Sequence, residues 1–451
     1  MSESLVQQRK QFRAAEVSKL FSWAQGGESV SIIGISGVGK SNLFNHLLDW
    51  ETQQAYLGEA AQDYLFVRVN FHYIPDLTSR SLYSIIMEQF ELLDTTHPWL
   101  GLTNEEVDQL INYHELLLDA GHDALKVQRY FKLALRVLLQ PRQRRLVFVF
   151  DQFDTVYQNA DERFFANLRG LRESYKYRIS YFAFTRSLLT SLVDMDAARE
   201  EFSELLSSNV VGLGPYNHPD AQSLLERIAT RTSLPLPSEA MAARLIGLAG
   251  GHAGLLKSAF LAVAQDGVQL PTNDDEAIKR LLMVPAMEME CGKIWGSIRV
   301  DEEKMLARFA HGGTAVSGTH QIQRELQIKG LLVGDEIFCP LFTTYVRQQE
   351  ALWERPLYLD PQTRQIWVLG EPTESLTALE YKLFSVLYNR LGEIVDKDEL
   401  IEAGWPEAKG GVSDQAITAA MYRLRRKIEP DPNNPRFLES FRGQGYQLQA
   451  T

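Results

Sequence analysis

The segment Gly34-Ile-Ser-Gly37-Val38-Gly39-Lys40-Ser41 constrains this chain more than any other. It follows a short apolar run, Ser29–Ile33, and precedes a stretch with Leu43, Phe44, Leu47 and Leu48 on one helical face. A strand that turns through glycines into a helix is the geometry of a loop that wraps phosphates. Glycines let backbone N–H groups close around the anion, and the helix N-terminus adds the positive end of its dipole. In the pattern G-x-x-x-x-G-K-[ST], Gly34, Gly37, Val38 and Gly39 shape the cradle. Lys40 reaches the β- and γ-phosphates of ATP or ADP, and the Ser41 hydroxyl holds Mg²⁺. Asn42, in the first turn of the helix, joins the binding set.

A second segment supplies the matching acid. Leu146–Phe150 is continuously apolar, as a strand buried on both faces should be, and it ends in Asp151. That is a Walker B arrangement, in which Asp151 joins Ser41 in the Mg²⁺ shell. The next residue is Gln152, where many P-loop ATPases carry Glu. A neutral amide orients water but cannot take its proton. Slow hydrolysis is therefore expected, with the nucleotide a switch more than a fuel. Asp154 stands as an alternative base, and the residues alone do not decide between the two.

Further strand-like runs are Tyr64–Phe71, Ile179–Phe184 and Val210–Leu213, with helical patterns between them. Strands alternating with helices imply an α/β fold with a parallel sheet. This P-loop core is expected over 1–215, followed by a helical lid over 216–272. Over 273–350, helices followed by the hairpin-like Gly330–Phe338 suggest a winged-helix domain. A linker at Gln348–Glu354 leads to a last domain over 356–451, with strands, helices and a final hairpin.

Composition bounds the alternatives. The chain has 451 residues, 45% hydrophobic and 23% charged, an ordinary globular balance for about three domains. Two cysteines, Cys291 and Cys339, and nine histidines without ligand spacing argue against a disulfide framework and against zinc. No apolar run approaches a membrane span and no signal peptide is visible, so a cytoplasmic protein without membrane contact is expected. The net charge of −12 disfavours non-specific nucleic-acid binding. Locally the balance reverses: Ser413–Ile428 holds four bases (Arg423, Arg425, Arg426, Lys427) against one acid (Asp414).

That segment reads as a helix capped by Ser413 or Asp414. Ile417, Met421, Leu424 and Ile428 form its apolar stripe; Gln415, Thr418, Tyr422, Arg423, Arg425 and Arg426 form the other face. Such a helix suits a DNA major groove, although a charged face is also what solvent selects. Thr377-Ala-Leu-Glu380 is a capping box opening an earlier helix. Phe437–Leu448 is a hairpin with Gly443 and Gly445 at its tip, where Arg442 could enter a minor groove.

Two families are recognisable from these motifs. Residues from about 10 to 350 resemble the STAND class of signal-transducing P-loop NTPases, near the archaeal-type and origin-recognition-like AAA ATPases. The resemblance rests on Asp151-Gln-Phe-Asp154, on Phe184-Thr-Arg186, on Gly212-Leu-Gly-Pro215, on Gly250-Gly-His252-Ala-Gly254, and on Phe12-Arg13-Ala-Ala-Glu16. It implies that Arg186 tests for the γ-phosphate, that Pro215 packs on the adenine, and that His252 contacts the nucleotide from the lid. The His–Asp pair that many members carry in their winged helix has no counterpart in Phe338–Thr343.

The stretch from about Pro356 to Leu448 resembles the OmpR/PhoB-type winged-helix domain of response regulators. The motifs are Leu376-Thr-x-x-Glu-Tyr-x-Leu-Phe, Arg423-Leu-Arg-Arg-Lys-Ile-Glu-x-Asp-Pro432 and Arg442-Gly-x-Gly-Tyr446. This resemblance implies base contacts from Thr418 and Arg423, phosphate contacts from Tyr422 and Arg425, and a minor-groove contact from Arg442. Ser440 and Tyr446 would position the wing.

The leading expectation is a nucleotide-switched transcription regulator bound to duplex DNA, self-associating on tandem sites. RNA polymerase or a signalling protein would be further partners. A DNA-remodelling ATPase of initiator or mobile-element type is the alternative that Gln152 disfavours. A signalling or defence scaffold, whose winged helix binds protein, is the third.

Overall fold

The computed structural model describes residues 6–7, 9–121, 123–139, 144–192, 196–314, 319–349, 356–360, 364–369, 371–405, 413–441 and 443–449. Its contacts divide the chain into two compact units. One is Met1–Ser297 with Phe309–Arg347; the other is Ile298–Arg308 with Gln348–Thr451.

The first unit is built on five parallel strands: β1 (Val30–Ile33), β2 (Tyr64–Asn70), β3 (Arg145–Asp151), β4 (Ile179–Thr185) and β5 (Val210–Gly212), in the order β2-β3-β4-β1-β5. All five lie within one residue of the runs expected from the sequence, because continuous apolar runs leave a parallel strand no solvent face. Every residue of β1 and β4 is buried. Phe148, Phe150 and Tyr181 stack on the sheet with ring centroids 5.6–5.9 Å apart. At about 1.5–3 kcal/mol for each large side chain removed from water, this layer holds the strand ends rigidly.

The helices that matter for the site are α1 (Ala14–Gly26) before the sheet and α2 (Lys40–Leu48) after β1. An excursion between β2 and β3 carries α3 (Ser79–Glu91), α4 (Asn104–Asp119) and α5 (Ala124–Leu139); α6 (Phe153–Asn159) follows β3. The stretch expected to form a helical lid contains α7 (His218–Thr232), α8 (Glu239–Ala249) and α9 (Ala253–Ala264). Asn217 and Ser238 cap the first two through N–H groups of Asp220 and Met241.

Beyond the lid, helices at Asp274–Leu282, Pro285–Trp295, Val300–Ala310 (α10) and His320–Ile328 precede the short hairpin β6 (Leu332–Val333) and β7 (Glu336–Ile337). One part of this stretch groups differently from the rest: Ile298–Arg308, most of α10, clusters with the second unit. A cation–π contact contributes there, with Lys304 Nζ 4.3 Å from the centre of the Trp367 ring.

The second unit opens with the antiparallel sheet β8 (Leu357–Leu359), β9 (Ile366–Val368) and β10 (Glu371–Pro372). It continues through α11 (Ala378–Asn389), β11 (Ile394–Asp396), α12 (Lys397–Gly404) and α13 (Asp414–Ile428) to the hairpin β12 (Leu438–Phe441) and β13 (Gly445–Leu448). The capping box is formed at Thr377 and Glu380. β13 pairs with both β11 and β12. Gly445 is needed there, because a Cβ would meet Val395 O at 2.0 Å. The unit is a winged helix-turn-helix. Among the described residues no helix is long and apolar enough to cross a membrane.

Candidate functional site

Register brings the strand ends of the first unit together. Ile33 pairs with Thr185 on one side and with Gly212 on the other, while Asp151 ends β3 opposite Asn70. The residues that follow β1, β3 and β4 therefore emerge along the carboxyl edge of a parallel sheet, where such sheets bind ligands. A cavity of about 600 Å³ opens at this edge. Gly37, Gly39, Lys40, Ser41 and Asn42 line it, and Asp151, Gln152, Asp154 and Arg186 face the same space.

The loop has the backbone that phosphate wrapping requires. Gly37 and Gly39 have φ of 75° and 101°, conformations that glycine adopts without strain. A Cβ on Gly39 would lie 2.3 Å from Tyr216 Oη. Lys40 Nζ folds back on Gly34 O and, at 3.1 Å, on Ile35 O. Burial pushes its ammonium down to about 8, opposed by Asp154. A desolvated ammonium held by loop carbonyls fits an incoming anion.

Asp154 and Arg186 form a unit. The Arg186 backbone N–H donates to Asp154 Oδ1 at 2.8 Å, and burial raises the Asp154 carboxyl above the usual carboxylate range. Gln152 is exposed and sits in the left-handed region at φ 54°, uncommon for a residue with a side chain. It occupies the N-cap of α6 without a side-chain cap bond.

Two expected nucleotide contacts are placed elsewhere. His252 is fully buried. Its Nδ1 accepts from Leu255 N–H at 3.3 Å, so Nε2 carries the proton and donates to Ser36 O at 2.9 Å. Burial holds its pKa at about 4. With Gly254 N–H donating to Gly37 O at 2.9 Å, His252 ties lid helix α9 to the loop from behind. Pro215 abuts Gly330 and is not among the residues lining the cavity.

Three further cations at the site belong to none of the sequence motifs. Arg227 and Arg231 of α7, and Lys257 of α9, line the same cavity. Among the described residues lining the cavity, five cations thus face two carboxylates, a local balance of +3 in a chain of net −12. The helical spacing of Leu224, Arg227, Ile228 and Arg231 marks one face of α7, but only the fold says what that face meets. Arg13 is 2% exposed. It donates to Val38 O at 2.9 Å and Gly214 O at 2.8 Å, and lies over the Tyr216 ring at 4.6 Å. It braces the loop from the N-terminal side. A neighbouring cavity of about 1020 Å³ shares Asn42 and Arg227 with the first and is walled by Phe12 and His46, in edge contact at 5.1 Å.

In the second unit, α13 buries Ile417, Ala420, Met421, Leu424 and Ile428 and is capped by Ser413. Gln415, Thr418, Tyr422, Arg423 and Arg426 are exposed, and Tyr422 at 50% is unusually open for an aromatic residue. Arg425 differs from the expected phosphate contact. It turns inward, and its Nε donates to Leu438 O at 2.8 Å, so it joins the helix to the wing. Lys427 is likewise engaged, donating to Glu380 Oε2 at 2.8 Å and Ser375 O at 2.7 Å. Buried Glu429 accepts from the N–H groups of Arg436, Phe437 and Leu438 and fixes the start of the wing. Ser440 is exposed opposite Tyr446, whose ring is buried. Arg442 lies outside the described residues.

Comparison with known proteins supports the second unit. Residues 370–448 match the family model described as "Transcriptional regulatory protein, C terminal". Protein PetR of Rhodobacter capsulatus is 42% identical over 86 residues, 18% of this chain and 35% of PetR. The probable transcriptional regulator ycf27 of Cyanophora paradoxa is 30% identical over 130 residues, 28% of this chain and 52% of that protein. The chain thus spans between a third and about half of the length of these relatives. Among solved structures, the DNA-binding domain of Klebsiella pneumoniae RstA, in complex with the RstA box, is 25% identical. That match covers 21% of this chain and 93% of the domain, with a TM-score of 0.20. A Walker-type ATPase of Pyrococcus abyssi is 14% identical, covering 74% of this chain and 95% of that one, with a TM-score of 0.42. The C-terminal domain of this chain is an OmpR/PhoB-type DNA-binding domain of transcription regulators.

Proposed function

We propose that this chain is a transcription regulator whose DNA binding is switched by ATP or ADP. The observation that carries the nucleotide part is the single cavity in which phosphate loop, acid-ending strand and lid cations converge. A polyanion is the ligand that a +3 cavity with a desolvated lysine calls for. The loop N–H groups and Lys40 take the phosphates, Ser41 and Asp151 are the residues for Mg²⁺, and the base enters the neighbouring cavity beside Phe12. Mg²⁺ would neutralise phosphate charge. Arg227, Arg231 and Lys257 are carried by the lid, so a nucleotide with more phosphate charge draws the lid more strongly onto the core.

Gln152 cannot take a proton from water, and the Asp154 carboxyl is engaged by the Arg186 N–H, which supports slow turnover and a signalling role of the STAND kind over a remodelling motor. The second unit reads duplex DNA with Thr418 and Arg423 at base edges and Tyr422 on the backbone, base contacts specifying and backbone contacts positioning. Paired half-sites would be met by two copies.

The test is selection of bound genomic fragments by the purified full-length chain with ATP, ADP or no nucleotide, alongside Lys40→Ala. A sharp repeated motif whose occupancy follows the nucleotide, and stops following it in Lys40→Ala, is the expected result. Binding without a motif would favour the remodelling reading. No binding in any state would favour the scaffold.

A further inference from the structure

The α3–α4 excursion holds a side-chain relay that the nucleotide and DNA readings do not use. Ser84 and Glu91, two turns apart on α3, both face His114 of α4. Ser84 Oγ lies 2.8 Å from His114 Nε2, and Glu91 Oε1 lies 2.6 Å from Nδ1. An ionised carboxylate only accepts, so Nδ1 carries the proton of the neutral ring. Nε2 is then an acceptor and the Ser84 hydroxyl donates to it. The order is that of a nucleophile, a base and an acid that orients the base, with both contacts inside the distances such relays require.

The surroundings suit a reaction at the surface. The His114 ring is buried, whereas Ser84 is only partly so. Ile111 and Leu118, three residues before and four after His114, share its side of α4 and are 37% and 45% exposed. Leu92, beside Glu91, is 50% exposed. Open apolar side chains flanking a hydrogen-bonded Ser–His–Glu relay offer a seat for an alkyl chain. The relay also pins α3 to α4, a role that needs no exposed apolar rim.

We propose that Ser84 is an activated nucleophile, modified by activated esters that carry an apolar acyl chain. Ser84 Oγ attacks the acyl carbon and its proton passes to His114 Nε2. The bond to the leaving oxygen breaks, and the departing alcohol takes that proton from the imidazolium. The products are the Ser84 ester and the free alcohol, with no oxidant or cofactor involved. All three residues lie within helices, whose N–H groups serve the helix ladder, so the backbone around Ser84 supplies no oxyanion donor. Removing such donors costs a hydrolase about 10²–10³ in rate. Both acylation and deacylation are slowed by this, but an activated ester has a good leaving group whereas the Ser84 ester formed has a poor one, so the acyl group accumulates, one per chain.

The full-length protein would be treated with an alkyl fluorophosphonate and mapped by mass spectrometry, and separately with p-nitrophenyl butyrate. The expected result is one adduct, on Ser84, absent from heat-unfolded wild type and from Ser84→Ala. His114→Gln should slow labelling by about a hundredfold, the scale of general-base assistance, and Glu91→Gln by less. The butyrate should release one equivalent of nitrophenol per chain. Three results would each overturn the proposal: no adduct on folded wild type, an adduct elsewhere, or equal labelling of Ser84 in folded and unfolded protein. The wild-type comparison decides even if a variant fails to fold.

Discussion

Gln152 concentrates the question of turnover in one side chain. It is exposed, in a left-handed backbone, beside Asp151 and opposite Lys40. Single-turnover ATP hydrolysis by the wild-type chain should fall below about 1 s⁻¹, the low end of ordinary enzymes. Gln152→Glu should raise it about a hundredfold, the lower range for a positioned general base, as rapid-quench measurements would show. His252 makes a second prediction at this scale. Its folded pKa of about 4 lies below the ordinary 6.5. The unfolded chain thus binds more protons between those values, and stability falls as pH drops through that window. At about 1.4 kcal/mol per unit, the loss is of order 3 kcal/mol. His252→Asn keeps a capping oxygen without a titrating ring, so its stability measured by urea unfolding should be flatter from pH 6.5 to 4.

At the scale of elements, α13 does two jobs with arginines two residues apart. Arg423 is exposed on the face proposed to read the groove, while Arg425 bonds to the wing at Leu438. Arg423→Ala should cost about 1–3 kcal/mol in affinity for the preferred site and relax its sequence, with little change in melting temperature. Arg425→Ala should show the reverse, because it frees a carbonyl inside the fold. Gel-shift titration and calorimetry on the same pair of proteins separate the two. Glu380 is the matching anchor on α11. Burial works against its charge, but hydrogen bonds from Lys427 and Thr377 hold its carboxyl below the usual range. Its stabilisation is present above the ordinary glutamate pKa and is lost as pH falls through the lowered one.

For the whole molecule, charge is distributed by task. A chain of net −12 carries a +3 cavity in one unit and a basic helix face in the other. Acidic surroundings suppress indiscriminate DNA binding, so affinity should be confined to sites that α13 reads and should fall steeply with salt. Arg231→Ala and Lys257→Ala should weaken ATP more than ADP, by several-fold each, because they add charge contacts from the lid. Isothermal titration with the two nucleotides checks the difference. If both nucleotides weakened equally, the lid cations would hold phosphates common to both and would not register the third.

Local pattern alone determined a good deal of this protein. The five core strands, the phosphate loop, the Thr377 capping box and the α13 stripe were legible because each depends on neighbours within a few residues: backbone freedom at glycine, period-3.6 burial, and caps. Contacts across long sequence separation were not legible. Whether His252 touches ligand or braces the loop depends on Ser36, 216 residues away. Whether Arg425 meets phosphate or carbonyl depends on the wing, and whether Arg227, Arg231 and Lys257 face solvent or a cavity depends on how the lid packs. The grouping of Ile298–Arg308 with the second unit has the same character. Composition and periodicity specify which face of an element is apolar. Only the tertiary structure decides which polar groups are brought within hydrogen-bonding reach, because that reach is a few ångströms in space and has no fixed spacing along the chain.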